Sequence, residues 1–208
     1  WGGRRDLSFI NRLSSYTTLD KFENKRLIKA RDGIIRGTDS TEYKEILNRP
    51  FLNAKDFPTN DSLYIDATSL ELNTDPRVNS VNSHDFTVFD LPQLIFKQCY
   101  MKEAQRFRAA IVKSNEELGG IICPNSFASV HLECRDSSIL ETICLVFNSH
   151  IALYHLLLTS GRFAMDRNEP QLENFRSIPL PEPKPGMLDG VNSIYDVDER
   201  IREVFDFK

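Results

Sequence analysis

The sequence predicts an α+β fold: a twisted mixed β-sheet packed against a long buried helix. Three observations predict it. Runs at 94–99, 106–112 and 126–134 carry strand patterns, and the stretch from Ser138 to Ser160 is apolar almost all round. The 208 residues are 40% hydrophobic and include 14 Phe, enough for a core without metal or disulfide staples. A helix apolar on every side is buried between layers rather than laid on a surface.

The elements follow in order. Residues 1–31 are charged, with a helical pattern from Leu19 to Ala30, and read as a connecting helix or linker. Asp32-Gly33-Ile34-Ile35-Arg36-Gly37-Thr38-Asp39 brackets a β-branched run with glycines, a looped strand edge where positive φ or close backbone approach is needed. Tyr43 to Leu47 is a helical turn, and Arg49 to Phe57 is extended between Pro50 and Pro58. Residues 59–85, rich in Asn, Asp, Ser and Thr, are loop around a short strand at Leu63 to Ile65.

Strand signals then cluster. Leu94 to Cys99 is a compact apolar run. Arg106 to Val112 alternates, which sets Phe107, Ala109 and Ile111 inward and leaves Arg106 and Arg108 on a polar face. Ala128, Val130, Leu132 and Cys134 share a second apolar face, opposite Ser129, His131 and Glu133. Ser138-Ile139-Leu140-Glu141 is a capping box opening the long helix, with Gly161 as its left-handed C-terminal cap. Ile178-Pro179-Leu180-Pro181 is extended, because a residue before proline disfavours the α region. Residues 181–185 form a stiff linker, and Val197 to Phe205 is amphipathic. The expected organisation is a connector at 1–31, one domain at 32–181, and a linker with a terminal helix at 182–208.

The residues present exclude much chemistry. The net charge is −4, and a free-standing nucleic-acid binder leans basic. Acidity therefore counts against DNA or RNA binding unless basic groups are segregated on one face or a larger protein supplies them. Cys99, Cys123, Cys134 and Cys144 form no CxxC pair, so no zinc site is expected; thiols in apolar runs read as reduced, buried and cytoplasmic. No G-x-G and no G-x-S-x-G occurs, and His150 and His155 are spaced off one helical face as packing histidines. The apolar run 139–158 carries Glu141, Asn148 and both histidines, which makes it a poor membrane span. These residues contain no catalytic constellation.

Four segments fall in a familiar order: Gly33-Ile34-Ile35-Arg36-Gly37; Arg49-Pro50-Phe51-Leu52-Asn53-Ala54-Lys55-Asp56-Phe57; Lys97-Gln98 with the Arg106 to Val112 strand; and Leu145-Val146-Phe147-Asn148-Ser149 through Ser160-Gly161 to Ile178-Pro179-Leu180-Pro181. Over about residues 31–181 the chain resembles the target-recognition domain of N6-adenine DNA methyltransferases, the TaqI-like C-terminal specificity domain of restriction–modification enzymes. The resemblance implies double-stranded DNA as partner and an upstream methyltransferase domain. That domain would carry the SAM-binding glycine loop and the Asn-Pro-Pro-aromatic motif, neither of which this sequence contains. SAM would thus belong to the parent enzyme, with no cofactor and no catalytic residue in this chain.

Arg and Lys read guanine or hold phosphates, and Asn and Gln read adenine. The candidate DNA-binding residues are therefore Lys55, Lys97, Gln98, Arg106, Arg108, Asn125, Ser126 and His131. Two alternatives stand beside this expectation: half of a separate specificity subunit, and a protein-interaction or scaffolding domain of a larger enzyme, which the acidity favours.

Overall fold

A computed structural model describes residues 3–37, 40–58, 61–79, 85–115, 117–160 and 170–205. Its strands are β1 (Thr17–Thr18), β2 (Ile28–Asp32), β3 (Ser40–Glu42), β4 (Tyr64–Asp66), β5 (Arg77–Asn79), β6 (Gln93–Met101), β7 (Arg106–Lys113), β8 (Phe127–Leu132) and β9 (Pro179–Leu180). The α-helices are α1 (Arg4–Leu13), α2 (Leu19–Asn24), α3 (Ser138–Phe147), α4 (His150–Thr159), α5 (Leu172–Arg176) and α6 (Val197–Val204). The three runs with strand patterns become β6, β7 and β8, and the short strand in the polar region becomes β4.

The fold is α+β with a mixed sheet in the order β2-β8-β6-β7-β4. All pairings in it are antiparallel except β4 with β7. One face presents Leu94, Phe96, Phe107, Ala109, Ala128 and Val130 to the helices. There the rings of Phe96, Phe147 and Phe175 lie mutually 4.8–5.4 Å apart, and Phe107 is 5.1 Å from Phe175. Tilted and edge-on pairs of this kind add about 0.5–1.5 kcal/mol each beyond burial. The other face presents Ile95, Ala110, Val112 and Phe127 to a second cluster that includes Ile34, Leu52, Phe57, Val88, Phe89 and Ile122. Both faces of the sheet are covered.

The expected long helix is two helices, bent by 68° between Phe147 and His150. Asn148 and Ser149 cause the break, because their side chains compete with the helix backbone. The Asn148 amide donates to Ala109 O at 2.8 Å and to Cys144 O at 2.7 Å, and its Oδ1 accepts the Ala109 N–H at 3.2 Å. Ser149 Oγ donates to Val146 O and accepts from Ala152 N, capping α4. Among the described residues no single helix is long and apolar enough to cross a membrane; only this bent pair passes on length and composition.

The start of α3 also differs from the capping box expected at Ser138. Asp136 Oδ1 accepts both the N–H and the hydroxyl of Ser138, so the acid ahead of the serines serves the helix end. Gly161, expected as the C-terminal cap, lies outside the described residues, as do Thr38 and Asp39.

The helical pattern from Leu19 to Ala30 divides into α2 and β2, with Arg26 at φ 55° between them. Left-handed backbone ends a helix. The extended Ile178 to Pro181 segment becomes β9, which pairs with β1 through Thr17–Leu180 and Thr18–Pro179. Leu13, Leu19 and Phe22 from one flank, and Met187, Ile194, Val197, Ile201 and Phe205 from the other, join the same core as Phe96 and Phe147. Gly33 holds its place by close approach: a Cβ there would lie 2.2 Å from Pro124 O and 2.3 Å from Cys123 O.

Candidate nucleic-acid interface

Four of the eight candidates gather at one end of the sheet. Lys97 sits opposite Phe127 across β6–β8, and the Gln98 N–H donates to Ser126 O at 3.2 Å. Asn125 and Ser126 are exposed in the turn entering β8, while Lys97 and Gln98 are half-buried. Lys55 is exposed two residues before Phe57, whose ring lies 5.2 Å from that of Phe127, so its segment borders the same end. The Gln98 amide donates to Asp32 Oδ1, which orients it.

A cleft of about 400 Å³ opens beside these residues, lined by Asp32, Gln98, Asn125, Gln171, Glu173 and Arg176. Arg176 is committed to protein partners: Glu23 at 2.6 Å, Glu173 at 3.1 Å and Ala30 O at 3.1 Å. Its hydrogen bond to Glu23 holds the guanidinium above its ordinary pKa. The cleft therefore offers amide donors and acceptors beside two carboxylates and one guanidinium, not a basic trough. Asp32, Gln171 and Arg176 were not among the sequence candidates. Beyond its i,i+3 pair with Glu173, Arg176 meets Ala30 and Glu23 across 146 and 153 residues of chain, contacts that carry no local signal.

Arg106 and Arg108 correct the sequence expectation. They do not form an open polar face; they are 5% and 1% exposed. Strand β4 covers β7 only from Ile111 to Lys113, and beyond it the edge is closed by Asn148 and by the chain near Ile194. Arg106 Nη1 donates to Asn148 O and Ile194 O at 3.0 and 2.8 Å and lies 3.3 Å from Asp198. Arg108 donates to Asn148 Oδ1 at 3.2 Å and to Ser62 O at 2.9 Å. Burial lowers the pKa of Arg108, and the carbonyl oxygens around it supply the partners a buried cation requires. Alternation correctly separated two faces of β7, but Asn148, Ser62 and the chain from Ile194 to Asp198 close over the arginines expected to be free.

His131 is also set apart. It lies on β8 opposite Lys29 and Gln93, away from the turn at Asn125, with Nδ1 2.9 Å from Asp90 O. Ser129, expected beside it on the polar face, is fully buried and bonds Val88 O and Gln93.

Among the described residues no group of three or more His, Cys, Asp or Glu is placed to hold a metal ion. Burial pushes the Cys144 thiol up to about 12 and raises that of Cys123 as well, so both stay protonated and unreactive at neutral pH. The arrangement can hydrogen-bond and place one ammonium group. Compared with protein-family models and with curated proteins, the chain matches none.

Proposed function

We propose that this chain supplies DNA sequence recognition to an N6-adenine DNA methyltransferase or a fused restriction–modification enzyme of the cytoplasm. Double-stranded DNA and an upstream methyltransferase domain would be its partners, with SAM bound by that domain. The observation that carries the reading is the grouping of Lys97, Gln98, Asn125 and Ser126, with Lys55 nearby, at one end of the sheet. Two carboxamides suit an adenine edge and an ammonium suits phosphate. The order of the four resembling segments adds support. Half of a separate specificity subunit would use the same surface.

Duplex binding across a range of salt tests this. Lys97→Ala should weaken binding to every sequence and reduce the salt slope by about one. Gln98→Ala should relax preference at one position by about 1–3 kcal/mol. If both variants fold and bind cognate and scrambled duplexes as the parent does, at every salt concentration, the reading fails. A protein-interaction or scaffolding role then takes its place, which the net charge of −4 and the burial of Arg106 and Arg108 favour. Incubated with labelled SAM and mixed-sequence duplex, the isolated chain should incorporate no methyl group above background.

A further inference from the structure

Asp32 closes β2 and Gln98 lies on β6, with β8 between the two strands. Ala128 on β8 stands opposite Asp32 on one side and opposite Phe96 on the other. Side chains two apart on a strand share a face. Ala30, Phe96 and Ala128 belong to the helix-side core, and Asp32 and Gln98, one step further along, carry the same face out to the cleft beside α5. There the Gln98 amide nitrogen donates to Asp32 Oδ1 across β8. Among the described residues neither side chain has another hydrogen-bond or ion-pair partner.

The chemistry of that pair is asymmetric. A carboxylate only accepts, so it fixes the Gln98 nitrogen toward Asp32 and keeps the amide from turning over. One acceptor, Oε1, and one N–H are left for a ligand. Adenine answers that set, with an N6–H donor and the N7 acceptor on its major-groove edge. Guanine presents two acceptors there, O6 and N7, and would meet only one donor. An amide free to turn could aim its NH2 at guanine and keep Oε1 clear. Asp32 is no partner for DNA in its own right. Arg176, the one guanidinium lining the cleft, is taken by Glu23, Glu173 and Ala30 O, and Asp32 forms no ion pair among the described residues. Its charge opposes the phosphates of a duplex.

On the DNA reading above, we infer that Asp32 is a positioning residue for base recognition: it holds the Gln98 amide in the one sense that selects adenine over guanine, and it does so at a cost in overall affinity for DNA. Base choice then depends on a residue that itself touches no base.

The test is retention of random-sequence duplexes by the full chain, with the bound pool sequenced. One position should favour adenine in the parent and lose that preference in Gln98→Ala. Asp32→Asn keeps the side-chain shape but can donate as well as accept, so it lets the Gln98 amide turn over. The adenine-over-guanine ratio at that position should then fall at least about tenfold, while binding to the whole pool stays equal or tightens. Asp32→Asn in the Gln98→Ala background should change the ratio no further. A purely structural role would instead weaken binding to every sequence, lower the melting temperature and leave the ratio intact. That result, or a parent preference for guanine at the Gln98-dependent position, overturns the inference and leaves the DNA reading standing. Retention that is indifferent to Lys97→Ala and shows no preferred position sinks the DNA reading itself, and the inference with it.

Discussion

The two sides of the central sheet solve the same problem differently. At β7, beyond the reach of β4, the N–H and C=O of Ala109 both bond to the single side-chain amide of Asn148. At β2, the outward N–H of Ala30 donates to Glu23 Oε1 at 3.1 Å, and its C=O accepts from Arg176 at 3.1 Å. Each stands in for a neighbouring strand, since unpaired backbone at a sheet edge is costly when buried and open to unwanted pairing when exposed. Asn148 is fully buried, whereas Arg176 and Glu23 keep 27% and 20% of their side-chain surface. A neutral amide supplies donor and acceptor without a charge to desolvate, and an ion pair serves where water still reaches. Local solvent access, more than backbone geometry, separates the two solutions.

Removing the buried seal should have the largest effect. Asn148→Ala strands the N–H and C=O of Ala109 and one Arg108 donor, at about 1–3 kcal/mol for each orphaned group. A loss on the order of 4 kcal/mol in urea unfolding is expected. A loss below about 1 kcal/mol would mean that water enters the site and the contrast between the edges is false.

His155 is a buried polar side chain whose Nδ1 lacks such a seal among the described residues. Its Nδ1 has no hydrogen-bond partner among the described residues, it is 7% exposed, and burial pushes its pKa down to about 4. An unfolded histidine titrates near 6.5 and so takes up its proton first as pH falls. Stability is then undiminished above about pH 6.5, declines through the window down to about pH 4, and reaches its full loss of about 3 kcal/mol below that. His155→Gln should flatten this slope in melts taken between those two pH values. An unchanged slope would assign the acid sensitivity to other groups.

The half-exposed edge should give the smallest effect. Arg176→Ala is expected to cost about 1 kcal/mol, falling as salt is added, because screening weakens exposed ion pairs. The cost of Asn148→Ala should not change with salt. If both respond to salt alike, the two edges are equivalent after all.

Much of the fold was legible from local pattern. A compact apolar run located β6, period-two alternation located β7 and β8, and the Gly33 bracket marked the close approach to Pro124 and Cys123. The site was legible only in part. Lys97, Gln98, Asn125 and Ser126 sit together because β6 pairs with β8, which their sequence separation does not reveal. Arg176's role was invisible because Glu23 and Ala30, the partners that place it at the edge of β2, lie near the other end of the chain.

The sequence by itself determined which residues alternate, where glycines bracket a close-approaching segment, and which stretch is apolar enough to be core. These follow from sterics and side-chain periodicity within a few residues. Only the tertiary structure decided that both faces of β7 are covered, that Asn148 spends its amide on Ala109 and breaks the helix there, and that Arg106 and Arg108 lie inside. Alternation reports that two faces differ. Whether the polar one meets water depends on a second layer built from residues far away in the chain.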